Sequence, residues 1–343
     1  MVGFLYEVTR SMKLNPLRST PRAIFLPTIA GMLALALGLL APAAPPLAAQ
    51  EKTTASGADS PARVDSNQIY GMYSGLALLM DVYHPRQPNG YGVILIPGSG
   101  WLAPTTYSAV PLKNETHQVL LFVPPLLKAG YVVFVINHRA APRFRYPAAV
   151  EDAQRAVRFI RHNARIYGAD AARLGGVGYS SGAHLVTLLG SLDGKGDPDD
   201  PDPVNRESAK LQCVVAGGTP ADLTNPRSPM GAEYSSTFLG MPTFTDDLPT
   251  TESYKKYREA SPLFHVTEKS APEMLFHGTA DTLVEIDQAE RLAAALEKAG
   301  VPHKLVRIPG GTHYQMFVKD GPDFLGDMVR WFDQYLRVAP PSR

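Results

Sequence analysis

The chain alternates between two hydrophobic rhythms. "GVILIP" (92–97) and "YVVFVI" (131–136) are continuous apolar runs, the pattern of strands buried on both faces. "LALLMDVYHP" (76–85) mixes apolar and polar positions, as an early antiparallel strand would. Between and after these runs the period lengthens. In "PAAVEDAQRAVRFIRHNA" (147–164), Ala149, Ala153, Ala156, Val157, Ile160 and Ala164 fall on one helical stripe with charges opposite, and Pro147 stands near the start. Then come the strand-like "ARLGGVGY", the helix-like "SGAHLVTLLG" and the strands "LQCVVAGG" and "EMLFHG" (273–278). A helix over 285–300 ends on Gly300, a natural left-handed cap; "HKLVRIPG" (303–310) is the last strand, and an amphipathic helix over 323–337 closes the series. This order predicts an α/β fold with a mostly parallel sheet and helices on both faces.

Two segments break the rhythm. "DGKGDPDDPDPVNRES" (193–208) has acidic residues without calcium-loop spacing and three prolines, and reads as a solvated loop. Residues 223–260 hold no long periodic element and fit an excursion over the C-terminal edge of the sheet, where ligands bind in such folds.

The N-terminal residues follow another logic. Arg10, Lys13, Arg18 and Arg22 precede "AIFLPTIAGMLALALGLLAPAAPPLAAQ", which ends on the small residues Ala48 and Ala49. Residues 1–49 are expected to be an export signal, with Met12 an alternative start, and an uncleaved membrane anchor is the competing reading. Residues 50–66 read as a polar linker and 67–343 as the folded domain, its destination periplasmic or extracellular. The formal net charge of +1 gives no basic excess for nucleic acid, and the single cysteine, Cys213, sits in an apolar strand as a buried small residue. Oligomeric state has no signal in the sequence.

The chemistry gathers at strand ends. Gly178-Tyr179-Ser180-Ser181-Gly182 fits G-x-S-x-G between a strand and a helix, with Ser180 in the nucleophile position. A serine needs a base to take its proton and a carboxylate to orient that base. His313 in "IPGGTHYQMF" follows the last strand, and Asp281 in "FHGTADTLVEID" follows the one before. Asp222 in "GTPADLT" is the rival acid; His138, His184 and His277 read as packing histidines. For the oxyanion, one donor is the Ser181 amide, with the Ser181 side chain dispensable. The other comes from "LIPGSGW", through Ser99 or Gly100. Trp101, Tyr179 and Tyr314 flank the site in sequence and are candidates for lining a substrate pocket.

These stretches together resemble the α/β-hydrolase superfamily of esterases and lipases, in particular bacterial feruloyl- and acetyl-xylan-esterase-like enzymes and hormone-sensitive-lipase-like carboxylesterases. "IPGSGW" stands where that family carries His-Gly-Gly-Gly-Trp, with Pro97 and Ser99 departing from it; "GYSSGAHL", "HGTADTLV" and "PGGTH" match its nucleophile, acid and histidine segments. The resemblance implies a serine hydrolase cleaving carboxylic esters, with short acyl or sugar-acyl groups, a small-molecule or saccharide ester as substrate, and no metal or organic cofactor. A serine exopeptidase of prolyl-oligopeptidase type and a catalytically silent binding protein are the alternatives.

Overall fold

The runs that are apolar at every position become the middle of the sheet. A computed structural model describes residues 60–102, 112–114, 116–242 and 250–337 of the chain. The strands are β1 (Arg63–Tyr73), β2 (Leu76–His84), β3 (Gly92–Ile96), β4 (Val132–Ile136), β5 (Leu174–Tyr179), β6 (Cys213–Gly217), β7 (Glu273–Gly278) and β8 (His303–Ile308). The helices are α1 (Thr116–Lys128), α2 (Ala148–His162), α3 (Ala164–Tyr167), α4 (Ser181–Ser191), α5 (Pro229–Leu239), α6 (Glu252–Glu259), α7 (Asp287–Lys298) and α8 (Phe324–Leu336). The sheet runs β1-β2-β4-β3-β5-β6-β7-β8. β1 and β2 pair antiparallel, and every pairing from β4 through β8 is parallel. β3, β4 and β6 are buried at each position, as their sequences predict.

Helices on the two faces close two cores. One gathers the apolar stripe of α2 (Ala149, Ala153, Val157, Ile160) with α4 and α7; the other gathers Phe122 and Leu126 of α1 with Phe332 and Leu336 of α8. Gly300 lies at φ +70°, in the left-handed cap expected for it.

One expectation needs correction, and two segments carry helices that the sequence pattern does not announce. The linker does not extend to residue 66: Arg63–Ser66 open β1, and just before it the Ala62 amide donates to His84 O at 2.8 Å. Helix α1 was not foreseen, because Pro124 and Pro125 lie inside it. Proline removes a helical N–H and costs about 3 kcal/mol in a helix interior, here offset by complete burial of Phe122 and Leu126 against the sheet. Residues 223–260 contain two short helices, α5 and α6, and no long element among the described residues, as expected. The export signal and residues 50–59 of the linker lie outside the described residues.

The strand order reverses between β3 and β5: the chain leaves β3 for β4 on one side and returns to β5 on the other. In open α/β sheets the crevice at the carboxyl ends of such strands is where ligands sit.

Candidate active site

Ser180 follows β5 on that crevice. Its backbone lies at φ 54°, ψ −122°, a conformation that side-chain-bearing residues rarely adopt, and its amide donates to Gly217 O at 2.8 Å. The flanking glycines permit this turn. A Cβ on Gly178 would lie 2.4 Å from Gly182 C, and a Cβ on Gly182 would lie 1.9 Å from Ile96 O. Both approaches are impossible for any other residue, so the G-x-S-x-G spacing is a packing requirement of the turn.

The other two strand ends converge on the serine. His313 Nε2 lies 3.0 Å from Ser180 Oγ, and His313 Nδ1 lies 2.7 Å from Asp281 Oδ2. The carboxylate only accepts, so Nδ1 carries the proton and Nε2 accepts from the serine hydroxyl. Asp281 Oδ1 accepts from the Leu283 and Val284 amides at 3.0 and 2.9 Å. Burial opposes its charge, but hydrogen bonds from His277, His313 and the Val284 amide outweigh that and hold its carboxyl well below the usual range. Asp281 and His313 are each 6% exposed, whereas Ser180 is half-buried and open to the crevice.

Asp222 does not take this position. Its carboxylate pairs with Arg291 and accepts from the Thr224 amide and hydroxyl. His138 and His184 are packing residues, as their sequence positions suggest. His138 Nδ1 contacts Arg139 O at 2.8 Å. His184 Nδ1 accepts from the Trp101 indole at 3.2 Å, and its Nε2 donates to Ala260 O at 2.7 Å.

The loop after β3 faces Ser180 across the crevice, and its amides are unequally available. The Gly98 amide donates to Gln118 Oε1 at 2.7 Å, and Gln118 Nε2 returns a bond to Gly98 O at 3.0 Å. The Ser99 amide donates to Ser181 Oγ at 2.8 Å. The Gly100 amide has no acceptor among the described residues. The Ser181 hydroxyl thus ties helix α4 to this loop. The Ser181 amide sits in the first turn of α4, where N–H groups lack intrahelical acceptors.

Ser180 and His313 open onto a cavity of about 880 Å³. Of the three aromatics picked from sequence, all border it, each differently. Trp101 is 2% exposed and stacks on Phe238 with ring centroids 4.6 Å apart, so most of its indole belongs to the core. Tyr179 is half-buried, and its hydroxyl donates to His313 O at 2.7 Å, fixing the histidine loop. Tyr314 is 74% exposed and, with Phe317, stands at the mouth. Three contributors escaped sequence reasoning. Gln118 lies on the unforeseen α1. Tyr234 of α5 carries its ring against Gly100, so that a Cβ there would meet it at 3.1 Å. Gln288 accepts from the Ala221 and Asp222 amides at 3.0 and 2.7 Å, bracing the loop after β6.

With this geometry in hand, comparison with known proteins is direct. Residues 80–296 match the BD-FAE family. An ethyl acetate hydrolase of Pseudomonas putida is 33% identical over 70% of this chain and 71% of its own. The esterase LipQ of Mycobacterium tuberculosis is 25% identical over 68% of this chain and 54% of its own, so this chain spans about half the length of that relative. Among solved structures, a truncated carbohydrate esterase from gut microbiota shares the fold, with a TM-score of 0.67 at 24% identity over 82% of this chain and 99% of that one. A family match over more than half the residues and a relative one-third identical over most of them lead to one conclusion: the chain belongs to the BD-FAE family of α/β-hydrolases and is a carboxylic ester hydrolase.

Proposed function

We propose that the protein cleaves short-chain acyl esters, including acyl groups on saccharides, through an acyl-enzyme on Ser180. The observation that carries this reading is the unbroken hydrogen-bond line from Asp281 through His313 to Ser180, at 2.7 and 3.0 Å. Ser180 Oγ attacks the acyl carbon as His313 Nε2 takes its proton. Asp281 stabilises the imidazolium and holds its tautomer. The amides of Ser181 and Gly100 receive the oxyanion, with Ser99 fixing the loop. As the tetrahedral intermediate collapses, His313 returns the proton to the departing alcohol. Water then attacks the acyl-enzyme, His313 takes the proton from the water, and the acid leaves as Ser180 recovers its hydrogen.

Room and lining support this substrate class. A two-carbon acyl group, as in the name of the Pseudomonas relative, fills little of about 880 Å³, so most of the cavity is available to the alcohol side. The exposed rings of Tyr314 and Phe317 at its mouth offer apolar faces on which a sugar can stack. Export completes the reading: the basic then apolar N-terminal residues fit a signal that delivers the enzyme to extracellular or periplasmic esters.

The test is a substrate panel with a covalent probe. Wild-type protein is expected to label with a fluorophosphonate and to hydrolyse nitrophenyl acetate and acetylated oligosaccharides faster than long-chain esters or aminoacyl amides. Ser180→Ala should neither label nor turn over. Labelling that persists in the alanine variant, or faster cleavage of the amides, would sink the assignment.

A further inference from the structure

A second histidine touches the triad acid. His277, near the end of β7, is fully buried, as is the side chain of Asp281 four residues later. Its Nε2 lies 2.7 Å from Val284 O and 3.5 Å from Asp281 Oδ2, the oxygen that accepts from His313. Both neighbours only accept, so Nε2 carries the proton. That leaves Nδ1 as a bare lone pair, and it is buried with no partner among the described residues. A leucine or phenylalanine would avoid that cost, so packing alone does not account for an imidazole here. The turn from Asp281 to Val284 is then closed on both sides: the carboxylate receives the Leu283 and Val284 amides, and the Val284 carbonyl receives His277.

We propose that His277 is a positioning residue for the triad acid, its Nε2–H bridging the Val284 carbonyl and Asp281 Oδ2 so that the carboxylate is held for His313. This rests on the Ser180–His313–Asp281 reading above. The groups facing this pair are His313 from the loop after β8 and Tyr179 from β5, whose hydroxyl is already committed to His313 O. On β8 the register partner of His277 is Arg307, which turns outward to Glu290. With His277 gone, less of the Asp281 charge is shared, the His313 imidazolium is favoured, and the acid limb of activity against pH moves upward.

Two variants separate positioning from bulk. A glutamine side-chain amide reaches the place of imidazole Nε2, whereas an asparagine amide reaches only that of Nδ1. His277→Asn is expected to lower kcat about 10- to 100-fold, the range of a misplaced catalytic group, with KM within about threefold and the acid limb raised by about half a pH unit or more. His277→Gln should stay within about fivefold of wild type with the limb unmoved. The far-downfield proton NMR resonance of His313 Nδ1–H should shift in His277→Asn and stay in His277→Gln. That resonance needs no substrate: if wild-type protein cleaves no ester, the proposed function falls while the positioning role is still decided. Equal kcat and limb in the two variants, or an unmoved resonance in folded His277→Asn, would overturn the proposal. Should His277→Asn not fold, His277→Gln decides alone: retention of limb and resonance supports the role, and displacement of either refutes it.

Discussion

Ser181 Oγ accepts the backbone N–H of Ser99 at 2.8 Å, joining the first turn of α4 to the loop after β3 across 82 residues of sequence. The two serines of the G-x-S-x-G turn therefore act through different atoms and on different partners. Ser180→Ala removes the proposed nucleophile, while Ser181→Ala removes only the acceptor that orders the opposing loop. A neutral hydrogen bond is worth about 1 kcal/mol, so Ser181→Ala is expected to lower kcat about three- to tenfold. Labelling by a fluorophosphonate should survive, at a reduced rate. Kinetics identical to wild type would show that the loop keeps its shape without this bond.

The choice between Asp281 and Asp222 is open to the same assay. Asp281 touches His313, while Asp222 is engaged by Arg291 and Thr224. Asp281→Asn presents an amide to His313 Nδ1 and favours the wrong tautomer, so kcat should fall by about 10⁴. Asp222→Asn should stay within about tenfold of wild type, because it leaves the His313 tautomer alone. A reversed ranking would move the acid to the loop after β6.

How much of this was legible in the sequence depends on what each segment buries. β7 was read at 273–278 and is found there, because all six residues are buried and turn-forming residues follow. Ser180, Asp281 and His313 stood out because each follows an apolar run at the same sheet edge. β1 was hidden because it is an edge strand: of its 11 residues only Tyr70 is fully buried, so its sequence has the polarity of a linker. α1 was hidden by Pro124 and Pro125, and Gln118 with it. The Ser181–Ser99 bond and the part played by His277 depend on where side-chain atoms meet across the crevice, which no spacing along one segment encodes.

His184 gives a stability prediction with a definite sign. It is fully buried between the Trp101 indole and the Ala260 carbonyl, and burial pushes its pKa down to about 4. The folded value lies below the ordinary histidine value, so the unfolded chain binds the proton first as pH falls. The stabilisation is complete above about pH 6.5 and is lost as pH drops toward 4, about 2 kcal/mol of it between pH 7 and 5. His184→Gln removes this titration. Thermal melts at pH 7 and pH 5 should show a smaller loss in His184→Gln than in wild type, and equal losses would contradict the buried neutral imidazole.

Glu273 has the opposite sign and a separate location. It opens β7, at the end of the sheet away from Ser180, fully buried, with the Thr187 hydroxyl donating to its Oε1 at 2.6 Å. Burial pushes its carboxyl up to about 7. An acid whose folded pKa is raised is stabilising while neutral: its contribution is whole below the unfolded value of about 4.5 and is lost as pH rises to about 7. Above that, the buried charge costs about 3 kcal/mol relative to the neutral form. Glu273→Gln keeps an oxygen for Thr187 and carries no charge. It should raise Tm at pH 8 by about 5–10 °C, the gain for that energy in a domain of this size, and the advantage should shrink toward pH 5. Ester hydrolysis should be unchanged, because the residue lies at the other end of the strand from Asp281. A Tm gain that is the same at pH 5 and pH 8 would mean that packing, rather than the buried charge, sets the cost of Glu273.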